Sequence, residues 1–216
     1  LALLGFVGTG NGEALLKENV LTEAGIPLVS LRSGATSLVK SGNPWLFMTR
    51  ASMESEINKI VEQYTSTGYR KYAVFYQNDP FGLDGLASAE ALIGKNGGKL
   101  VVKASYEKNT TEVAAAVKAI AAAAPDAVIM ISNTAAGSDF IKQSREAGST
   151  AQYVTLSFTD AVQSVERIGK QAASGLAITQ VVPNPESRQI PLARELMDNF
   201  AKFKPANVTT NHSLME

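Results

Sequence analysis

The feature that most constrains this chain is an alternation: short apolar runs rich in β-branched residues trade places with segments of helical period along almost its whole length. Ala127-Val-Ile-Met-Ile131 is apolar at every position, as a strand must be when helices cover both of its faces. Apolar runs separated by helical segments are the pattern of βα units and a mostly parallel sheet, so the fold class is α/β. The runs predict strands at 1–7, 27–31, 71–77, 99–104, 126–132, 152–157 and 175–182. Helices are expected near 12–24, 52–67, 83–96, 112–124, 136–147, 160–169 and 187–203.

Local punctuation supports this division. Asn109-Thr-Thr-Glu112 resembles a capping box and opens the helix-favouring run Val113 to Ala124, which Pro125 stops. Gly25, Gly68, Gly97-Gly98 and Gly148 follow helices, where the residue after the last turn takes a left-handed conformation. Two segments break the rhythm. Ser41 to Arg50, with Pro44 and Trp45, is extended where another helix is expected, and Val181-Val-Pro-Asn-Pro185 is a second stretch stiffened by proline. With 45–50 and 181–185 as crossovers between two sheets, one lobe holds 1–44 and 186–216 and the other holds 51–180.

Composition removes several classes of function. The 216 residues carry 20 Lys and Arg against 20 Asp and Glu, so no basic excess exists to draw a nucleic acid. No Cys is present, which excludes disulfides, thiolate metal sites and a thiol nucleophile. Leu1 to Val7 is apolar but lacks a basic leading region and is far too short to span a bilayer, so it reads neither as a signal peptide nor as an anchor. The sequence opens in a strand without an initiator Met and stops in what reads as the opening of a helix, which points to a fragment or a segment of a mature protein.

In an open α/β sheet the ligand sits beyond the carboxyl ends of the strands, so the loops there carry the function. The first is Gly8-Thr-Gly-Asn-Gly12, running into a helix whose exposed N–H groups and positive dipole end welcome an anion such as a carboxylate. The second, Arg32-Ser-Gly-Ala-Thr-Ser37, adds hydroxyls and amides. The other lobe offers Asn78-Asp-Pro-Phe-Gly82, then Asn133-Thr134 after Ser132, then Ser157-Phe-Thr-Asp160. Phe81 and Phe158 are aromatics at strand ends, where they serve either as a stacking wall for a ligand or as a cap over the local core. Gly8-Thr-Gly10 is a poor dinucleotide fingerprint, because Glu13 stands where a small residue belongs, although Arg32 would suit a 2′-phosphate. His212 is the single histidine, and the chain has no GxxxxGK[ST] loop, GxSxG elbow or HExxH. Hydrolytic or metal-dependent chemistry therefore lacks its parts, and no cofactor is called for.

The runs Asn43-Pro-Trp-Leu-Phe47, Ala73 to Gly82, Tyr106 to Val113, Pro125-Asp-Ala-Val128, Ser157-Phe158 and Val181-Val-Pro183 resemble the type I periplasmic solute-binding proteins of ABC importers, of the leucine/isoleucine/valine-binding family. The resemblance implies two Rossmann-like lobes with parallel sheets flanked by helices, the first lobe incomplete, because members are longer and this chain matches their central portion. It implies a periplasmic monomer that closes on a small solute by a hinge and delivers it to a membrane permease. Carried over residue by residue, Thr9, Gly10, Asn11, Ser33, Gly34 and Ala35 hold a ligand carboxylate, Phe81 lines the cleft, and Asn133 and Thr134 add contacts. In the loop from Ser157, amino-acid binders carry an acidic residue for the ligand ammonium; this chain has Phe158 there and Asp160 two residues on. A carboxylate ligand with an apolar or aromatic body follows, with an amino acid gripped by Asp160 as the competitor. The other readings are a ligand-sensing domain of a receptor or regulator, a dinucleotide-dependent enzyme using Gly8-Thr9-Gly10, and a fragment too incomplete to bind.

Overall fold

Strand and helix alternate as the sequence pattern requires, but they divide into two sheets of unequal build. The computed structural model describes residues 1–206 together with His212 and Met215. The chain separates into two compact units, Leu1–Thr179 and Gln180–Glu216.

The first sheet consists of three parallel strands of two residues each, β1 (Leu3–Leu4), β2 (Leu28–Val29) and β3 (Leu46–Phe47), in the order β1-β2-β3. The expected strand over 1–7 is cut short because Gly5 turns to φ 74°, although Val7 resumes pairing as an isolated parallel bridge to Arg32. The helix expected over 12–24 begins earlier and is split into α1 (Thr9–Lys17) and α2 (Val20–Ala24). Asn19, at φ 53°, makes the break, in a conformation that Asn tolerates better than most residues. A short helix not anticipated from the sequence, α3 (Thr36–Val39), follows β2. The extended stretch at 45–50 contributes β3, with the Leu28 N–H donating to the Trp45 carbonyl at 2.8 Å.

The second sheet is larger and wholly parallel: β4 (Lys71–Gln77), β5 (Lys99–Tyr106), β6 (Ala127–Ile131), β7 (Gln152–Thr155) and β8 (Ala177–Ile178), in the order β5-β4-β6-β7-β8. The chain leaves β4 toward one edge and returns to its other side at β6, so the order reverses between these two strands. Helices α4 (Met53–Ser66), α5 (Pro80–Lys95), α6 (Ala114–Ala123), α7 (Thr134–Glu146) and α8 (Ala161–Ala173) connect the elements of this half. The capping box expected at Asn109 does not form: α6 starts after Val113 without a side-chain cap, and Asn109 sits in a left-handed turn at φ 63°. In the second unit, α9 (Pro191–Phe203) starts on Pro191, which suits a first helical turn.

Alternation along β4 and β6 sorts the core onto two faces. Ala73, Phe75, Val128 and Met130 pack with Phe140 and Ile141 of α7, where the Phe75 and Phe140 rings stack at 4.1 Å. Tyr72, Val74, Ile129 and Ile131 face α4 and α5, and the same cluster continues into Leu28 of β2, Leu31 after it and Leu38 of α3. The two sheets of this unit therefore share one buried cluster, carried mainly by Met53, Ile57 and Ile60 of α4 and by Leu86, Ala89 and Ile93 of α5. Trp45 is half-buried against it.

Candidate functional site

A cavity of about 390 Å³ opens at the carboxyl ends of the strands, within the range of small-molecule sites. The first sheet supplies its lining from Val7, Gly8, Thr9, Gly10, Asn11 and Arg32. The second supplies Gln77, Asp79, Phe81 and Lys108, then Ser132, Asn133 and Phe158. Gln77 ends β4 and Ser132 follows β6, so this half of the cavity sits at the point where strand order reverses, the usual ligand position in open α/β sheets. A broader depression of about 730 Å³ lies at the opposite end of the strands, bordered by Gly68, Tyr69, Asp126 and Gly148. That end collects helix C-termini and strand starts, whose carbonyl-rich character does not suit an anion.

The second sheet presents an interlocked set of polar groups. Tyr106 donates its hydroxyl to Gln77 Oε1 at 2.9 Å and accepts from the Asn133 N–H at 3.1 Å and from Asn133 Nδ2 at 3.2 Å. Gln77 Nε2 donates to Asp79 Oδ2 at 2.8 Å, and Lys108 Nζ lies 3.4 Å from that same oxygen. Burial pushes the Tyr106 phenol up to about 12, outweighing the lowering by the Asn133 backbone bond, so it keeps its proton and acts as a donor. Asp79 and Asn133 also cap helices: Asp79 Oδ1 accepts from the Gly82 N–H at 3.1 Å, and Asn133 Oδ1 from the Ala136 N–H at 3.0 Å. Gly82 is required here, since a Cβ would stand 1.8 Å from the Gln77 carbonyl oxygen.

The first sheet behaves differently. Gly8 is the N-cap of α1 and has no side chain to offer, so the first turn of this helix presents its backbone toward the cavity without a side-chain cap. Gly10 faces α5, where a Cβ would make an ordinary contact at 3.7 Å with Pro80 Cγ. Thr9 is buried, its hydroxyl 2.8 Å from that of Ser33. The neighbouring α3 is satisfied from elsewhere, the Thr36 N–H donating to the Asp84 carboxylate of α5 at 3.0 Å.

Of the residues singled out in the sequence, Thr9, Gly10, Asn11, Phe81, Asn133 and Phe158 come together around this cavity. Ser33, Gly34 and Ala35 lie behind it. Ser33 pairs with Thr9 and accepts from the Ala35 N–H, Ala35 is fully buried, and the Gly34 carbonyl accepts from the Met53 N–H at 2.7 Å. Thr134 and Asp160 are engaged with each other and with α8: the Asp160 N–H donates to Thr134 Oγ1, and Asp160 Oδ1 accepts from the Gln163 N–H, both at 3.0 Å. Ser157 turns to Glu56, which accepts from its N–H at 2.9 Å and from its hydroxyl at 3.1 Å. Asp79 and Lys108 also line the cavity although the sequence assigns them no binding role, and Arg32, which the sequence links only to a 2′-phosphate, lines it too; all three stand just after strands, β4, β5 and β2.

Phe81 and Phe158 meet edge to face with centroids 4.9 Å apart, and both also pack against the shared core cluster. No group of three or more His, Cys, Asp or Glu side chains placed to hold a metal ion occurs among the described residues. No helix among them is long and apolar enough to cross a membrane.

Comparison with known proteins agrees with this architecture. A substrate-binding periplasmic protein from Ralstonia solanacearum superposes with a TM-score of 0.92 at 31% identity, over 99% of this chain and 60% of its own. A possible leucine/isoleucine/valine-binding protein from Rhodopirellula baltica gives 0.85 at 27% identity, over 100% of this chain and 58% of that one. A solute-binding protein of an ABC transporter from R. palustris, in complex with benzoate, shares the fold at 0.79 and 19% identity, over 94% and 56%. The chain thus spans about three fifths of the length of these relatives. No curated protein matches it. The model of the periplasmic binding protein family matches residues 1–215, and the chain belongs to that family.

Proposed function

We propose that this chain is the greater part of an extracytoplasmic solute-binding component of an ABC importer, and that its solute is a small carboxylate with an apolar or aromatic body. One observation carries the reading: a single cavity joins the start of α1, which has no side-chain cap, and Arg32 to the edge-to-face pair Phe81 and Phe158. The helix start and Arg32 suit an anion, and the rings suit a flat or branched apolar body. Two of the charged lining residues, Arg32 and Lys108, are basic and one, Asp79, is acidic.

An amino-acid ligand needs a carboxylate for its ammonium. Asp160 is a helix cap and is not part of the cavity lining, so that duty falls to Asp79, which Gln77, Gly82 and Lys108 already engage. An added ammonium there competes with these partners, which favours a ligand without one. The solute bridges loops of both sheets, and its differential affinity for the closed arrangement drives hinge closure and presentation to a permease. Binding and release, rather than a reaction, is the role these residues support.

Calorimetric titration with benzoate, phenylalanine and leucine tests the reading. Benzoate binding that outstrips leucine is the expected result. Tight leucine binding abolished by Asp160→Ala overturns it, and stabilisation by a dinucleotide but by none of the acids would favour the enzyme alternative.

A further inference from the structure

Behind the pair Phe81 and Phe158 lies an ionic group that the binding reading leaves without a role. Arg50 and Glu56 are paired at 3.3 Å, with side chains only 2% and 3% exposed. Glu56 is the hub: it accepts from the Ser157 N–H and hydroxyl and from the Thr179 hydroxyl, while Arg50 also donates to Ser157 Oγ. The group thereby ties together the segment after β3, helix α4, the loop after β7 and the residue that follows β8. A buried ion pair of this kind is poor evidence for added stability, because the cost of desolvating both charges consumes most of their attraction.

Its geometry does have a directed consequence. The guanidinium carbon of Arg50 lies 3.9 Å from the centroid of the Phe158 ring, a desolvated cation on an aromatic face. Phe158 in turn lines the cavity and meets Phe81 edge to face. We propose that Arg50, held by Glu56, is a positioning residue: it fixes the Phe158 ring and so sets the cavity's preference for flat aromatic over branched aliphatic carboxylates. Ser157 is then the anchor that brings the loop under the guanidinium rather than a ligand contact. This deepens the carboxylate-binding reading and rests on it for the preference, but the hold on Phe158 is a property of the unliganded protein and is testable without any ligand.

The substitution that isolates the effect is Arg50→Lys, which keeps a charge for Glu56 and removes the planar stacking face. With the protein labelled with 4-fluorophenylalanine and the Phe158 resonance assigned from Phe158→Leu, Arg50→Lys is expected to shift and broaden that resonance in the unliganded state. In titrations, it is expected to lower benzoate affinity about tenfold while changing leucine affinity much less, and to add nothing further in the Phe158→Leu background. Arg50→Met combined with Glu56→Gln removes both charges without stranding either, and serves if the lysine variant folds poorly. An unchanged Phe158 resonance overturns the proposal whatever the protein binds. Equal losses for both acids, or full additivity with Phe158→Leu, overturn it as well. If neither acid binds but the resonance moves, the carboxylate reading fails and the hold on Phe158 stands.

Discussion

The two sheets close off their loops in opposite ways. Around the second sheet, α4, α5, α7 and α8 start on a polar side chain that turns back to cap them, Ser52, Asp79, Asn133 and Asp160, and α6, which follows Val113, is the exception. Around the first, α1 starts on Gly8 and caps nothing. The second sheet spends its polar groups on its own backbone and on one another, which fixes the shape of its half of the cavity before any ligand arrives. Preorganised walls on one side and a helix start without a side-chain cap on the other are a division of labour that would suit an anionic ligand.

The largest effect expected from breaking this contrast is structural. Phe140→Ala, removing the ring stacked on Phe75 in the fully covered sheet, should cost about 4 kcal/mol in urea unfolding. A loss below about 1 kcal/mol would mean that this half is not the rigid one. Next, Arg32→Gln on the first-sheet side should weaken benzoate binding by about 10- to 100-fold, the range for a hydrogen bond to a charged group. Benzoate affinity insensitive to this change would move the anion away from the first sheet.

The polar set of the second sheet can be probed by alkali. Tyr106 binds its proton more tightly folded than unfolded, so its contribution is complete below its ordinary value of 10.0 and is lost as pH rises from there to about 12. Stability should fall across that window, and less steeply in Tyr106→Phe; parallel profiles would show that the phenol is not coupled to folding. The smallest effect is the most discriminating. Asp160→Ala should remove a helix cap at a cost of about 1 kcal/mol while leaving affinity for acids within about twofold.

Much of this was legible in the chain itself. Ala127 to Ile131 and Lys71 to Gln77 read as buried strands because packing on both faces leaves only apolar side chains acceptable at most positions, and the structure places β6 and β4 there. The first sheet was harder, since two-residue strands carry no period and Gly5 ends one by backbone conformation alone. Asn109-Thr-Thr-Glu112 has the letters of a capping box, but Asn109 is left-handed, in a turn that Thr110 closes back onto the Glu107 carbonyl. In the site, Phe81 and Phe158 announced themselves as aromatics where strands end. The partnership of Arg50 with Ser157 did not, because 107 residues separate them and only the fold brings them together.

Trp45 gives the smaller sheet an optical signature of its own. It is the single tryptophan in the sequence, and it leans on the shared core from the strand pair β2 and β3. Tryptophan emission therefore follows the first sheet, whereas far-ultraviolet dichroism is dominated by the longer strands and helices of the second. A denaturation experiment read both ways needs no label to separate a partial opening of the first-sheet side from collapse of the whole.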